Sequence, residues 1–171
     1  MQAILYTSNT GSTARYAQML GQRLDLPVYS AKEAAKALPS GAQVLYLGWL
    51  MAGGIKGYKS AARRYAVRAV CAVGMSATGA RTDEVRAQNA VPQDVPLFTL
   101  QGAYDITKLR GPYRLLMSRM GPMLAKSLLE KPDRTPEEED MLALLQNSGD
   151  RVRPENLAAV LDWCAAQREE H

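Results

Sequence analysis

The stretch Ile4-Leu5-Tyr6-Thr7-Ser8-Asn9-Thr10-Gly11-Ser12-Thr13-Ala14-Arg15-Tyr16-Ala17 decides the fold. An apolar run gives way to a loop of hydroxyl, amide and glycine residues, and the loop passes without a break into an amphipathic helix. That is a strand, an anion loop and a helix N-terminus. The first turn of a helix leaves backbone N–H groups unpaired and carries the positive end of the macrodipole, so the loop that feeds it is a natural phosphate cradle. Thr7 closes the strand, and Ser8, Thr10, Ser12 and Thr13 add hydroxyls around Asn9 and Gly11. No lysine follows Gly11, which excludes a Walker A loop, and no G-x-G-x-x-G marks a dinucleotide. A phosphate here would be held by neutral donors rather than by a metal and a lysine. The plainer reading is a helix start capped by one Ser or Thr, but a cap needs one such residue and not a run of them.

Outward from this stretch, strands and helices alternate. The helix carries Ala14, Ala17, Leu20, Gly21 and Leu24 on one face. Val28 and Tyr29 form a short second strand, Ala31 to Leu38 a short helix closed by Pro39-Ser40-Gly41, and Val44 to Leu47 a third strand. The third strand is continuously apolar, as expected of a parallel strand covered on both faces. A glycine-rich loop is predicted from Gly48 to Tyr58, containing Trp49, Leu50 and Met51, and a helix from about Lys59 to Arg68. Val70 to Met75 is the fourth strand, Ser76-Ala77-Thr78-Gly79-Ala80-Arg81 the next loop, Asp83 to Asn89 a helix, and Val95 to Gly102 the fifth strand. This alternation argues an open α/β sheet.

Residues 104 to 153 exceed an ordinary strand-to-helix connection. Pro112 to Lys131 reads as a basic amphipathic helix with Tyr113, Leu116, Met117, Met120, Leu124 and Leu128 on one face, kinked or restarted at Gly121-Pro122. Its apolar stripe either packs on the domain or offers a dimer or membrane-surface face. Thr135-Pro136-Glu137-Glu138 combines an N-cap, a proline at the first helical position and a glutamate at N3, opening a helix through Gln146. The acidic cluster from Glu137 to Asp140 reads as a solvated helix start. A last helix begins at Pro154 and turns Leu157, Val160, Leu161 and Cys164 to the sheet.

With 171 residues, 47% of them hydrophobic and 22% charged, the chain suits one globular domain spanning 1–171. No apolar run approaches the roughly 18 residues a membrane span needs, and no basic leader precedes the first strand, so an intracellular protein is expected. Cys71 and Cys164 lie far apart and the single histidine is His171, which leaves no metal or disulfide framework; both cysteines read as core residues. The net charge of +4 permits an anionic partner without choosing one. Only 6% of residues are aromatic and no nucleic-acid signature is present, so no specific nucleic-acid partner is expected.

In an open sheet of order 2-1-3-4-5, ligands sit beyond the carboxyl ends of the strands, where the order reverses. The loops after the first, third and fourth strands therefore converge. A phosphate at the first, with a flat ring between the other two, has the composite shape of a flavin mononucleotide (FMN) site. Glycines let backbone amides approach the ring edge, and an aromatic stacks on its face. Trp49 and Tyr58 each have two readings, ring contact or ordinary burial, and Thr78 and Gly79 are either site or plain turn residues.

These residues carry a resemblance. Leu5 and Tyr6 at a strand end, Ser8, Gly11, Thr13 and then Ala17 one turn on resemble the signature of the flavodoxin family. The resemblance implies a flavodoxin-like open doubly wound five-stranded parallel sheet, order 2-1-3-4-5, with a helical insertion at about 104–150 before the last helix. It also implies FMN as cofactor, its phosphate on Ser8, Asn9, Thr10, Gly11, Ser12 and Thr13, and its isoalloxazine flanked by the loops holding Trp49, Leu50, Met51 and Tyr58 and holding Ser76, Ala77, Thr78 and Gly79. Within the family, Gly57-Tyr58-Lys59-Ser60-Ala61, the start Gly102-Ala103 and the long basic segment are most similar to the flavodoxin-like, quinone-linked protoporphyrinogen dehydrogenases. Three functions follow as expectations: an electron carrier with a redox partner protein or quinone, a dehydrogenase of that kind, or a binding module on the same fold without flavin. The location implied is the cytoplasm or, for a peripheral protein docking or dimerising through 112–131, the inner face of the membrane. The flavin would do the chemistry, and no catalytic side chain or metal ligand is assigned.

Overall fold

The computed structural model describes residues 1–109 and 111–169. Its central sheet is built by β1 (Ala3–Thr7), β2 (Val28–Ser30), β3 (Gln43–Met51), β5 (Ala66–Gly74) and β6 (Leu97–Gln101), all parallel, in the spatial order β2-β1-β3-β5-β6. Counted among the parallel strands alone, that is the expected 2-1-3-4-5. Interleaved with them are α1 (Ser12–Leu24), α2 (Ala31–Ala37), α3 (Tyr58–Arg64) and α4 (Thr82–Asn89), and α7 (Ala158–Glu169) ends the described chain after a 3₁₀ turn at Pro154–Leu157.

Both faces of the sheet are covered, and the strands read accordingly. Leu5, Val44, Tyr46, Val70 and Ala72 point into one core, under α2, α3 and α4. Their neighbours Ile4, Leu45, Leu47, Ala69, Cys71 and Val73 point into the other, where Tyr16, Leu20, Leu157, Val160 and Cys164 meet them. Neighbouring residues on a strand face opposite ways, so a strand buried on both faces must be apolar throughout.

The helix expected to run to about Arg68 stops at Arg64, because Ala66 already opens β5, and three further elements depart from the expected architecture. The region predicted as a glycine-rich loop is mostly strand: β3 runs on through Trp49, Leu50 and Met51 and turns back as β4 (Gly54–Ile55), with Leu50 opposite Ile55 and Met51 opposite Gly54. The two turn residues, Ala52 at φ 49° and Gly53 at φ 77°, are both left-handed, which is the geometry a two-residue hairpin requires. The central sheet therefore has six strands rather than five. A second correction concerns Gly121-Pro122. The helix α5 (Pro112–Glu130) neither stops nor restarts there but carries Pro122 within it, with Gly121 buried beside the Tyr104 hydroxyl. The third is a two-stranded antiparallel ribbon, β7 (Ala103–Tyr104) with β8 (Gly149–Asp150), outside the central sheet.

That ribbon closes the base of the insertion. Between its strands lie α5 and α6 (Pro136–Asn147), and α6 opens with the predicted capping box: Thr135 Oγ1 accepts from Glu138 N, and Glu138 Oε2 accepts from Thr135 N. Tyr104, Leu109, Met117 and Leu144 form a third small core with Met51 and Met75, which fixes the insertion over the carboxyl ends of β3 and β5. Among the described residues no helix is long and apolar enough to cross a membrane.

Candidate functional site

The loop between β1 and α1 turns on Gly11, the α1 N-cap residue, at φ 104°. Only glycine takes that conformation cheaply. Ser8 Oγ accepts from Gly11 N at 3.2 Å and shapes the turn, while no side chain caps α1. The hydroxyls that would serve an ordinary cap are placed otherwise: Ser12 Oγ accepts from Ala103 N at 3.1 Å, pinning the helix start to β7, and Thr13 is 1% exposed. The start of α1 is thus left without the side-chain caps that close α2 and α6.

Three of the molecule's cavities meet at this loop, and Thr10 lines all of them. The first, about 450 Å³, is mainly apolar and runs from Thr10, Ser12 and Thr13 past Trp49, Leu50 and Met51 and Ser76 to the inner faces of α5 and α6. Met51, Met75, Met117, Met120 and Met141 line it, which is five of the chain's eight methionines. Thioether side chains are polarizable, adapt their shape and favour contact with aromatic edges, so this wall suits a flat ring. The second cavity, about 750 Å³, is more polar than the first, and Thr7, Ser8, Asn9, Thr10 and Gly11 line it. The third, about 330 Å³, lies between Thr10-Gly11-Ser12 and the β7–β8 ribbon.

Asn9 Oδ1 is buried and, among the described residues, has no hydrogen-bond partner. An unsatisfied buried acceptor is costly, and this one belongs to a residue lining the polar cavity next to Thr10. A ligand bearing hydroxyls would satisfy it. A phosphate would be met by the same amide turned to present its N–H₂.

Thr7 and Tyr58 act from beneath. The Tyr46 hydroxyl lies 2.6 Å from the Lys56 carbonyl and 2.8 Å from Thr7 Oγ1. A phenol has one proton and a carbonyl can only accept, so Tyr46 donates to Lys56 and receives from Thr7. Burial pushes the Tyr46 hydroxyl up to about 12, with the Thr7 hydrogen bond opposing the shift. This bond joins the end of β1 to the end of the β3–β4 hairpin. Gly57 follows immediately, at φ 84°, where a Cβ would overlap both oxygens. Tyr58 is 5% exposed and its ring sits 6.2 Å from that of Tyr46, in the core rather than against the cavity.

Trp49 faces the cavity on one side and the protein on the other. It lines the apolar cavity and also meets Tyr113 of α5 edge-on at 4.9 Å, with Lys56 Nζ 5.4 Å from the far ring. The loop after β5 brings Ser76 to the cavity, whereas Ala77, Thr78 and Gly79 turn away. Thr78 Oγ1 accepts from Gln101 N at 3.0 Å and Gly79 N donates to the Thr99 carbonyl, so this part of the loop is tied to β6.

The sequence reading passed over the residues that hold these walls in place. Asn89, 5% exposed, accepts from Ile55 N at 2.7 Å and donates to the Gly53 and Val85 carbonyls, which locks the hairpin onto α4. Gln101 Nε2 donates to Asp140 Oδ2 at 2.6 Å, and Arg151 grips Asp140 Oδ1 through Nε and Nη2, so α6 is fastened to β6. Tyr16 donates to the Gln101 carbonyl at 2.5 Å and accepts from Asn156. Burial raises the Tyr16 hydroxyl above its ordinary value and keeps it a neutral donor. An asparagine at a helix end with a strand beside it carried a signal, since it is a frequent side-chain bridge to backbone. Asp140 carried none, because it continues the run Glu137-Glu138-Glu139, and acidic residues at a helix start are ordinary. Comparisons of the chain with protein-family models, with curated proteins and with solved structures found no match.

Proposed function

We propose that the chain is an FMN-binding, flavodoxin-like redox protein that carries electrons through a bound flavin. The observation that supports this reading is the meeting at Thr10 of an uncapped helix start and a methionine-lined apolar cavity. A phosphorylated flat ring needs those two environments within one molecule's length of each other. Asn9 and the backbone amides of Ser12 and Thr13 would hold the phosphate end. Trp49, Leu50, Met51, Met75 and Ser76 would border the ring. The flavin, when bound, supplies the capacity to accept and pass on electrons, and the side chains anchor it, orient it and exclude water.

The test is uptake. Flavin fluorescence quenching on titration of the purified protein with FMN should saturate at one flavin per chain, and Thr10→Asp should weaken binding at least tenfold, because a carboxylate would face a phosphate dianion. A protein that takes up no FMN overturns the reading and leaves a flavin-free binding module on this fold.

A second reading, a quinone-linked dehydrogenase of a porphyrinogen-type substrate, draws on a specific observation. Leu124 lines the cavity and is 43% exposed, and Leu115, Leu116, Met123 and Leu129 extend an exposed apolar surface along α5 beside Arg114, Arg119 and Lys126. Apolar side chains flanked by basic ones suit an anionic membrane surface. Oxidation of protoporphyrinogen with a quinone acceptor, with and without anionic vesicles, decides it: no turnover in either case rejects the dehydrogenase and leaves the carrier.

A further inference from the structure

We infer that Lys108 supplies a positive charge to the phosphate cradle and makes this site discriminate phosphorylated from unphosphorylated flavin. The inference rests on the FMN reading and adds a residue that the first loop does not contain. Among the described residues, the second and third cavities share Thr10, Gly11 and Lys108 and no other. Lys108 therefore stands over the turn where α1 begins, although it lies 97 positions away from Gly11 in sequence.

Its backbone is set by a tight turn. Asp105 Oδ1 accepts from Thr107 N at 2.9 Å and from Thr107 Oγ1 at 2.6 Å, and Lys108 N donates to the Asp105 carbonyl at 3.1 Å. The ammonium is only loosely held, with Nζ 3.6 Å from Asp105 Oδ2 and the side chain 67% exposed. The neighbouring cation differs. Arg15 lines the ribbon-side cavity but is committed to Asp150 at 2.5 Å. Lys32 lines the cavity on the α2 side only. Among the described residues lining that larger cavity there is no aspartate or glutamate. Among the described residues, Arg15, Lys32 and Lys108 are the cations that line these two cavities, and Lys108 is the one that borders both; held by Asp105 at 3.6 Å and facing Asp150, it can leave these carboxylates for an anion at Thr10 and Gly11.

The consequence is a charge preference. An ammonium near a dianion stabilises FMN but does nothing for riboflavin, which has the same ring and ribityl chain without the phosphate. The experiment titrates FMN and riboflavin into the full-length wild type, Lys108→Met and Lys32→Met, at low and at physiological salt. Methionine keeps the length of the apolar stem, and the site is exposed enough for the fold to survive; equal melting temperatures check this. The expected result is that Lys108→Met loses about tenfold in FMN affinity, leaves riboflavin unchanged and shows a smaller salt dependence, while Lys32→Met loses less.

Equal losses for FMN and riboflavin would mean that Lys108 only supports the turn, and would overturn the inference. So would an unchanged FMN affinity, or a larger loss in Lys32→Met. In those cases wild-type FMN binding persists and only the role of Lys108 falls. If the wild type takes up neither flavin, the FMN reading falls and the inference with it.

Discussion

Replacing Tyr46 by phenylalanine removes one oxygen from a fully buried side chain and should have a pH-dependent cost. Near neutrality the loss leaves the Lys56 carbonyl without its donor and the Thr7 hydroxyl without its acceptor, which should destabilise the fold by about 1–3 kcal/mol. At alkaline pH the wild type carries a liability that the variant lacks. The unfolded chain ionises Tyr46 near 10, whereas the folded chain holds the hydroxyl up to about 12 because burial disfavours the phenolate. Between those values the unfolded state has released a proton that the native state retains, so this group's contribution to stability is complete below pH 10 and is lost as pH rises toward 12. At pH 11 the difference amounts to about a factor of ten, or about 1.4 kcal/mol. The penalty of Tyr46→Phe should therefore shrink by about 1.4 kcal/mol between pH 8 and pH 11. Urea unfolding followed by far-ultraviolet circular dichroism measures both values on both proteins. A penalty that does not change with pH, or one under about 0.5 kcal/mol at pH 8, refutes a hydroxyl that is both buried and hydrogen-bonded.

Gly57→Ala should cost about 2 kcal/mol or more in the same assay, since a Cβ would overlap the Tyr46 and Thr7 oxygens at a backbone conformation that disfavours alanine; a loss under 1 kcal/mol would place those oxygens elsewhere. Asp140→Asn should lower stability by about 0.5–1 kcal/mol at pH 7 and speed proteolysis within α5 and α6. The Arg151 hydrogen bond holds the Asp140 carboxyl below its ordinary range, so its stabilisation is present above about pH 3.9 and disappears as the pH falls through the lower folded value. Wild type and variant should converge there, and a gap that persists at pH 2 refutes the ion-pair account. Cys71 and Cys164 are buried, and burial pushes both thiols up. Neither should react with an aromatic disulfide reagent until urea unfolds the chain, and rapid reaction of the native protein would contradict their packing.

How much of this was legible in the residues depends on the range of the physics. The strand from Ala3 to Thr7, the turn on Gly11 and the alternation that builds the parallel sheet are encoded within a few positions of one another, and they were readable as such. Continuous apolarity in Val44 to Leu47 and Val70 to Val73 announced strands buried on both faces, and the two separate cores show why nothing polar fits there. The hairpin after Trp49 was misread because two glycines in a row suggest a loop, whereas Gly53 serves the turn, together with an alanine forced to positive φ, and Gly54 already belongs to β4. Asn89, 36 positions beyond Gly53, makes that alanine-glycine turn tenable by bonding the hairpin backbone, and no local pattern reveals a bond of that span. At Gly121-Pro122, where a kink or a restart is expected, the continuous helix removes the restart for a related reason. Proline removes one backbone donor, a penalty visible in sequence, but the packing of Met117 and Gly121 against Tyr104 that holds the helix in one piece is tertiary. The same distinction governs the site. The floor of the proposed cradle is local, six consecutive residues from Ser8 to Thr13, while the apolar wall beside it comes from Met51, Met75, Met117, Met120 and Met141, and Lys108 borders it from the insertion. The shape of the proposed floor is therefore readable from one loop, but what would distinguish one ligand of that shape from another is carried by residues that only folding brings together.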